Sequence, residues 1–122
     1  MRRILNKEDA MKKIEAIIRP TKAADVCAAL GGADCPGLMI TEIEGHGRQK
    51  GVEQEFRGRK YRTGLLAKAK IEIVTNDEDV DRIVNVIRDA ALTGKEGDGK
   101  IFVYAIDDAI RIRTGDRGKT TI

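Results

Sequence analysis

The stretch LLAKAKIEIVTNDEDVDRIVNVIRDAALTG, residues 65–94, changes its hydrophobic period near the middle. In its first part, charged residues alternate with apolar or small ones, which is typical of a strand with one polar face. The predicted core side of that strand carries Leu66, Ala67, Ala69, Ile71 and Ile73. The second part has an apolar stripe at helical spacing, formed by Val80, Ile83, Val84, Ile87 and Ala91. The stretch therefore predicts a strand followed by an amphipathic helix.

Residues typical of helix ends frame the two predicted helices. Asn76 or Asp77 can cap the helix of this stretch, acidic residues in its first turn oppose the helix dipole, and Gly94 should end it. An earlier helix is predicted over residues 21–32, with Thr21 as a possible N-cap and a glycine pair at its end. Each helix therefore has a predicted start and a predicted stop.

Three further strands complete the pattern. They are KKIEAIIRP at 12–20, which Pro20 ends, GLMITEIEG at 37–45 and IFVYAI at 101–106. The order along the chain is then β-α-β-β-α-β. This order predicts a ferredoxin-like α+β fold, a four-stranded antiparallel sheet with both helices on one face.

The stretch GHGRQKGVEQEFRGRKYRTG, residues 45–64, joins the second and third predicted strands. It is too polar to form a packed structure and too long for a simple turn. We therefore expect a long loop there.

The composition limits the classes of function. The 122 residues fit one domain, and 23 basic against 20 acidic residues leave a net charge of only +3, which argues against general nucleic-acid binding. The two cysteines lack metal-ligand spacing, so we expect free thiols in a reducing cytosol. Residues 1–10 form a polar leader without the apolar run of a secretory signal. We expect a cytoplasmic protein whose folded domain spans residues 11–122.

Residues with catalytic chemistry are scarce. His46 is the only histidine, and no serine or cysteine nucleophile has a local signature beside it. The sequence also lacks HExxH, CxxC and acidic-loop metal motifs. We therefore expect a protein that is not an enzyme.

Three loops combine glycines with cations, which is the chemistry of phosphate binding. In TGKEGDGKIF, residues 93–102, Gly94, Gly99 and Lys100 have P-loop spacing, but Ile101 replaces the magnesium-binding hydroxyl, so a glycine-rich turn is the alternative. GHGRQKG, residues 45–51, is the second such loop, and its alternative is a mobile charged loop. The third is IRIRTGDRG, residues 110–118. Its two arginines would project from one face of a strand, either as a polyphosphate clamp or as a solvated edge.

The motifs resemble one known family. GxGRQKG, RGxxY, KxKIEIV, TGKxGDGKIFV and IRIRTG occur here in the order found in the PII nitrogen signal-transduction proteins (GlnB/GlnK type), from residue 11 to the C-terminus. The resemblance implies a homotrimer that binds ATP or ADP, Mg²⁺ and 2-oxoglutarate in clefts between subunits. It also implies that residues 45–64 are the T-loop, which docks on an ammonium transporter, a nitrogen-assimilation enzyme or a nitrogenase system. Contact with a membrane is then expected only through a transporter.

The resemblance also implies a set of binding residues. The nucleotide would be bound by Ile17, Gly45, Gly47, Arg48, Gln49, Val74, Gly97, Asp98, Gly99, Lys100, Arg111 and Arg113. The 2-oxoglutarate would be bound by Gln49, Lys50, Lys68 and Gly97, and Gln49 would also hold the magnesium ion.

Departures from the family pattern lie in the second strand and the T-loop. Met39 replaces a threonine that often contacts the adenine. Tyr61 stands at the tyrosine that enterobacterial members have uridylylated, although its neighbours Arg59 and Lys60 differ from theirs. Arg57 matches a loop-tip arginine that plugs an ammonium channel in some members, and a solvated arginine is the alternative. A PII-like trimer that senses another small ligand or a metal is the alternative function, but such relatives usually lack the TGKxGDGK and RIRTG motifs.

Overall fold

The structure is a computed structural model that describes residues 10–46, 54–56, 59–61 and 65–122. The described residues form six strands and two α-helices. They are β1 Met11–Ile18, α1 Ala23–Gly31, β2 Leu38–His46, β3 Gln54–Phe56, β4 Arg59–Tyr61, β5 Leu65–Asn76, α2 Val80–Ala91 and β6 Gly99–Ile106. Single 3₁₀ turns lie at Pro20–Lys22, Asp77–Asp79 and Gly118–Thr121.

The main sheet has the strand order β2-β5-β1-β6, and each neighbouring pair is antiparallel. Strand β1 lies in the centre, where Ile14 pairs with Ile73 of β5 and Val103 of β6. The predicted ferredoxin-like α+β fold is confirmed. The strand predictions for residues 12–20, 37–45, 65–75 and 101–106 are confirmed to within a few residues.

The core lies between one face of the sheet and the two helices. Ala69, Ile71 and Ile73 of β5 are buried there, as the alternation predicts, while Ala67 is half-buried. Ile83 and Ile87 of α2 are fully buried against these strand residues. Val26 and Leu30 of α1 are buried in the same core. These aliphatic side chains remove enough apolar surface from water to hold the helices on the sheet.

Three predictions about helix ends are wrong in detail. Neither Asn76 nor Asp77 caps α2, because Asp77–Asp79 form a 3₁₀ turn first and Asp79 stands at the N-cap without a side-chain hydrogen bond. Thr21 does not cap α1, because Pro20–Lys22 form a 3₁₀ turn first and Lys22 stands at the N-cap without a side-chain hydrogen bond. Proline favours such a first turn because its φ angle is already helical. Helix α2 ends at Ala91, before Gly94, because Leu92 takes an extended conformation. Gly94 instead adopts a positive φ of 82° in the following loop.

Part of the long loop contains secondary structure that the sequence analysis did not predict. Strands β3 and β4 pair antiparallel, with Gln54 opposite Tyr61 and Phe56 opposite Arg59. Backbone hydrogen bonds form such a hairpin without an apolar core, so polar composition alone does not exclude it. The expectation that residues 45–64 form only a loop is therefore corrected.

The segment after β6 is a turn rather than the predicted strand. Ile110 and Arg117 form an isolated bridge, and the amide of Gly115 donates to the Arg111 carbonyl at 2.7 Å. Gly115 has a φ of 76°, a conformation that only glycine adopts readily, and it turns the chain back on itself. The argument that Arg111 and Arg113 share one strand face is therefore wrong, because the two residues lie in this turn.

Both cysteines are free and half-buried, as predicted. Among the helices that the structure describes, none combines the length and the apolar character that crossing a membrane requires.

Candidate functional site

The loop between α2 and β6 is organised around the carboxylate of Asp98. This carboxylate accepts hydrogen bonds from the amides of Thr93 and Gly94, both at 2.9 Å, and from the Thr93 hydroxyl. The hydroxyl of Thr93, its amide and the amide of Gly94, together with Arg19, hold the pKa of Asp98 well below its usual range. Asp98 therefore stays ionised and closes the loop on itself.

Arg19 connects this loop to the end of β1. Its Nε lies 3.2 Å from Asp98 Oδ1, and its Nη2 donates to the carbonyl of Glu96 at 2.5 Å. Arg19 was missed by the sequence analysis. Only the pairing of β1 with β6 brings it to the loop, because Arg19 follows Ile18, the partner of Gly99.

Glycines shape the same loop where a side chain could not fit. Gly99 has a φ of 104°, and a Cβ atom built there would lie 1.7 Å from the carbonyl oxygen of Ile17. Gly97 also has a positive φ, of 99°. The loop backbone is therefore packed directly against β1, and its glycine content is a steric requirement.

Lys68 of β5 reaches the loop from the neighbouring strand. Its Nζ donates to the carbonyl of Gly97 at 2.7 Å. Partial burial lowers the pKa of Lys68, the nearby Arg19 lowers it further, and Asp98 acts in the opposite direction. Lys68 and Gly97, which the resemblance assigned to one ligand, are thus in direct contact.

A first cluster of predicted site residues therefore lies at one end of the sheet. Ile17 pairs with Lys100 on one side and with Lys70 on the other. Gly45 lies near the same end, because Ile43 of β2 is the partner of Lys68. The cluster comprises Ile17, Gly45, Lys68, Gly97, Asp98, Gly99 and Lys100.

A second cluster surrounds a cavity of about 360 Å³ at another part of the sheet. Val74 and Arg111 line this cavity together with Met39 and Gly37. The guanidinium of Arg111 donates to the carbonyl of Thr120 at 3.2 Å and lies 3.8 Å from the carboxylate of Asp116. Arg113 follows in the same turn and is exposed.

The two clusters are separated along the sheet. Val74 pairs with Lys13, whereas Ile17 pairs with Lys70, so the two positions are four residues apart along the strand, or about 13 Å. One chain therefore does not bring all the predicted nucleotide residues into one site.

Comparison with known proteins gives the family. The family model described as "Nitrogen regulatory protein P-II" matches residues 11–116. The chain belongs to the P-II family.

Curated P-II relatives match nearly the whole chain. "Nitrogen regulatory protein P-II 2" of Methanothermobacter thermautotrophicus is 54% identical over 112 residues, which cover 92% of this chain and 97% of the relative. "Nitrogen regulatory protein P-II" of Rhodospirillum rubrum is 53% identical over 112 residues, 92% of this chain and 100% of the relative. The resemblance seen in the motifs is confirmed, and the chain belongs to a family of nitrogen regulatory, signal-transducing proteins.

A solved P-II structure supports the fold independently. The crystal structure of Arabidopsis thaliana PII bound to citrate has a TM-score of 0.74 and 36% identity, with 92% of each chain covered. In that structure the plant protein is bound to citrate, a small tricarboxylate.

Several P-II site residues lie outside the described part of the chain. These are Gly47, Arg48, Gln49, Lys50 and Arg57, so their predicted roles stay predictions. Tyr61 is described only as a backbone position in β4.

The described residues fit a phosphate-bearing ligand better than a protein-built metal site. At the first cluster Lys68 contacts the glycine backbone, and Lys100 follows at the start of β6, whereas the Asp98 carboxylate already accepts hydrogen bonds from the protein. Within ranges 10–46 and 65–122, no group of three His, Cys, Asp or Glu side chains could hold a metal ion.

Proposed function

We propose that this P-II protein binds ATP or ADP, with Mg²⁺ and 2-oxoglutarate, at a site shared between subunits of a homotrimer. It reports the bound state to a partner through residues 45–64. The observation that carries the proposal is the contact of Lys68 with Gly97 inside a loop whose glycines face β1.

The phosphates belong at the first cluster. Gly97 and Gly99 allow backbone N–H groups to approach phosphate oxygens, and Lys100 adds a positive charge. The carboxylate of Asp98 would repel a phosphate and already accepts hydrogen bonds within the loop, so the proposed contact of Asp98 with the phosphates is through its backbone. The carboxylate keeps the loop in shape while the amides and cations meet the ligand.

The 2-oxoglutarate belongs beside Lys68. A carboxylate of this dianion offers Lys68 a stronger partner than the neutral carbonyl of Gly97. Gln49 and Lys50 are proposed to complete this site. When bound, magnesium would supply positive charge to the anionic ligands, and Gln49 would help hold it.

The base and the remaining cations belong at the second cluster of a neighbouring subunit. The cavity beside Val74 has mostly apolar walls that suit a base, Arg111 lines it, and Arg113 is exposed two residues further along the same turn. Because the two clusters are about 13 Å apart in one chain, a second copy must supply one of them to complete the site.

The uncovered face of the sheet supports association of copies. Lys13 forms a 2.6 Å ion pair with Glu72, and this contact lowers the pKa of Glu72. The Lys13 ammonium also lies 5.6 Å from the centre of the Tyr104 ring. Around these pairs Met39 is 62% exposed and Phe102 and Tyr104 are each 43% exposed. Paired charges flanked by aromatic and methionine side chains are typical of surfaces that become buried between subunits.

The output is proposed to pass through the long loop. Arg57 and Tyr61 stand near the middle of this segment in the sequence, where a partner could bind the guanidinium of Arg57 or modify the hydroxyl of Tyr61. Suitable partners are an ammonium transporter, a nitrogen-assimilation enzyme or a nitrogenase system. The setting is the cytoplasm, and contact with a membrane would come only through a transporter.

Titration calorimetry tests the proposal. The protein should bind ATP when Mg²⁺ is present, and 2-oxoglutarate should bind only to the ATP-loaded protein and should tighten ATP in return. Absence of ATP binding, together with absence of any effect of 2-oxoglutarate, would refute the proposal.

A further inference from the structure

Arg82, on the first turns of α2, holds the loop that follows α1. Its Nη1 donates to the carbonyl of Ala33, and its Nη2 donates to the carbonyl of Asp34 at 3.4 Å. The carboxylate of Asp79 lies 3.4 Å from Nη2, one turn earlier in the chain. One guanidinium therefore joins two consecutive loop carbonyls to the start of α2.

The held loop has a backbone that needs support. Asp34 has a φ of 52°, a left-handed conformation that is unfavourable for residues with a side chain. The α1 helix ends just before it, where the amide of Ala33 donates to the carbonyl of Leu30 at 3.1 Å. Arg82 thus contacts the two carbonyls that flank this unusual turn.

The loop leads directly into the wall of the cavity of the second cluster. Pro36 and Gly37 line that cavity opposite Val74 and Arg111. Gly37 has open space where a Cβ would stand, so side-chain packing does little to fix the wall at that point. Its position depends on how the preceding residues are held.

We propose that Arg82 is a positioning residue for the nucleobase. It fixes residues 33–37 so that the cavity wall has one shape, and it thereby sets both the affinity for ATP and the preference for one base over another. This inference rests on the proposed function, because the cavity is the base half of the proposed site. A lysine could reach one carbonyl but could not form the two-pronged contact of a guanidinium.

Three variants test the role. Arg82→Ala removes both contacts, Arg82→Lys keeps the charge, and Asn85→Ala changes an exposed position of the same helix as the matched control. MgATP is titrated into each trimer, and GTP is competed against it. Arg82→Ala should lower the affinity for ATP about five- to tenfold and reduce the ratio of ATP affinity to GTP affinity. Arg82→Lys should have values between those of Arg82→Ala and the wild type, and Asn85→Ala should have the wild-type values.

The base preference separates positioning from general stabilisation. Lys100→Ala, on the phosphate side, should weaken ATP and GTP equally and serves as the reference for a loss unrelated to the base. The inference is overturned if the Arg82 variants bind ATP as tightly as the wild type, or if their affinities for ATP and GTP fall by the same factor. It is also overturned if the wild type binds ATP and GTP equally well. If Arg82→Ala does not fold, wild-type values for Arg82→Lys overturn it. Failure of the wild type to bind ATP would instead refute the proposed function itself.

Discussion

Gly99 is the residue on which the shape of the phosphate-side loop depends most directly. Its missing side chain lets the loop backbone touch the carbonyl of Ile17, and its φ of 104° is strained for any other residue. Gly99 is therefore required for the packing of this loop on β1.

The substitution Gly99→Ala should lower the free energy of unfolding by at least about 3 kcal/mol, because the new Cβ would collide with backbone atoms that cannot move easily. Chemical denaturation measures this change. Gly31→Ala is the matched control, since nothing lies within 4 Å of its Cβ position, and it should be neutral or slightly stabilising. Equal stability of the two variants would contradict the steric account.

Lys68 is the second residue with a role that its contacts define. Lys68→Ala should lower the affinity for 2-oxoglutarate about 10- to 100-fold, because a charge-assisted pair with a carboxylate is lost. The affinity for ATP in the absence of 2-oxoglutarate should stay nearly unchanged. Calorimetric titration with each ligand measures the difference. Lys70→Ala is the control, because Lys70 lies on the same face and pairs with Glu72 at 3.4 Å. A similar loss of affinity for 2-oxoglutarate in both variants would contradict a specific role of Lys68.

At the scale of elements, the loop over residues 93–99 behaves as one hydrogen-bonded unit with Asp98 at its centre. Its carboxylate is 21% exposed, and Arg19 and the residues at the start of the loop all donate to it. The unit forms only while Asp98 is ionised. Loop structure is therefore linked to pH.

The sign of that linkage follows from the lowered pKa of Asp98. Its stabilising effect is complete above the unfolded-state pKa near 3.8 and is lost as the pH falls below that value. Asp98→Asn should therefore be less stable than the wild type at pH 7, and the gap should shrink as the pH falls toward 3. Thermal unfolding from pH 7 to pH 3 measures it, with Asp89→Asn on the exposed side of α2 as the control. A gap that stays constant with pH would contradict the linkage.

The sequence predicted the regular elements well and their ends less well. The alternation of polar and apolar residues at 65–75 and the apolar stripe of α2 both arise because one face of the element is buried. Burial on one face can therefore be predicted from the spacing of apolar residues in the sequence. Thr21 failed as a cap because Pro20 started a tighter turn first. Arg111 and Arg113 alternate with isoleucines as a strand would, yet Gly115 turns the chain and leaves Ile112 fully exposed.

The candidate site was predictable only where its residues belong to a local motif. Gly97 and Gly99 could be read from the loop itself. Arg19 and Arg82 could not be read in this way, because each acts on a loop more than 45 positions away that only the strand and helix pairing brings near. Contacts of that kind need the topology first.

At the scale of the whole molecule, the uncovered sheet face and the separated clusters point to the same assembly. Phe102→Lys should turn the proposed trimer into monomers, because it places a charge on the face that is proposed to become buried between subunits. Light scattering after gel filtration measures the mass. Leu92→Lys is the control on the helix side, where 48% exposure permits a charge. A Phe102→Lys trimer would contradict the proposed interface.

Complementation between subunits tests the shared site most directly. Lys100→Ala and Arg113→Ala subunits, each defective in ATP binding alone, are unfolded together in equal amounts, refolded and titrated with MgATP. If each site takes Lys100 from one subunit and Arg113 from its neighbour, random assembly restores tight binding at roughly a quarter of the sites. If one chain supplies both residues, every site keeps one defect, and a mixture without any tight binding would contradict the account.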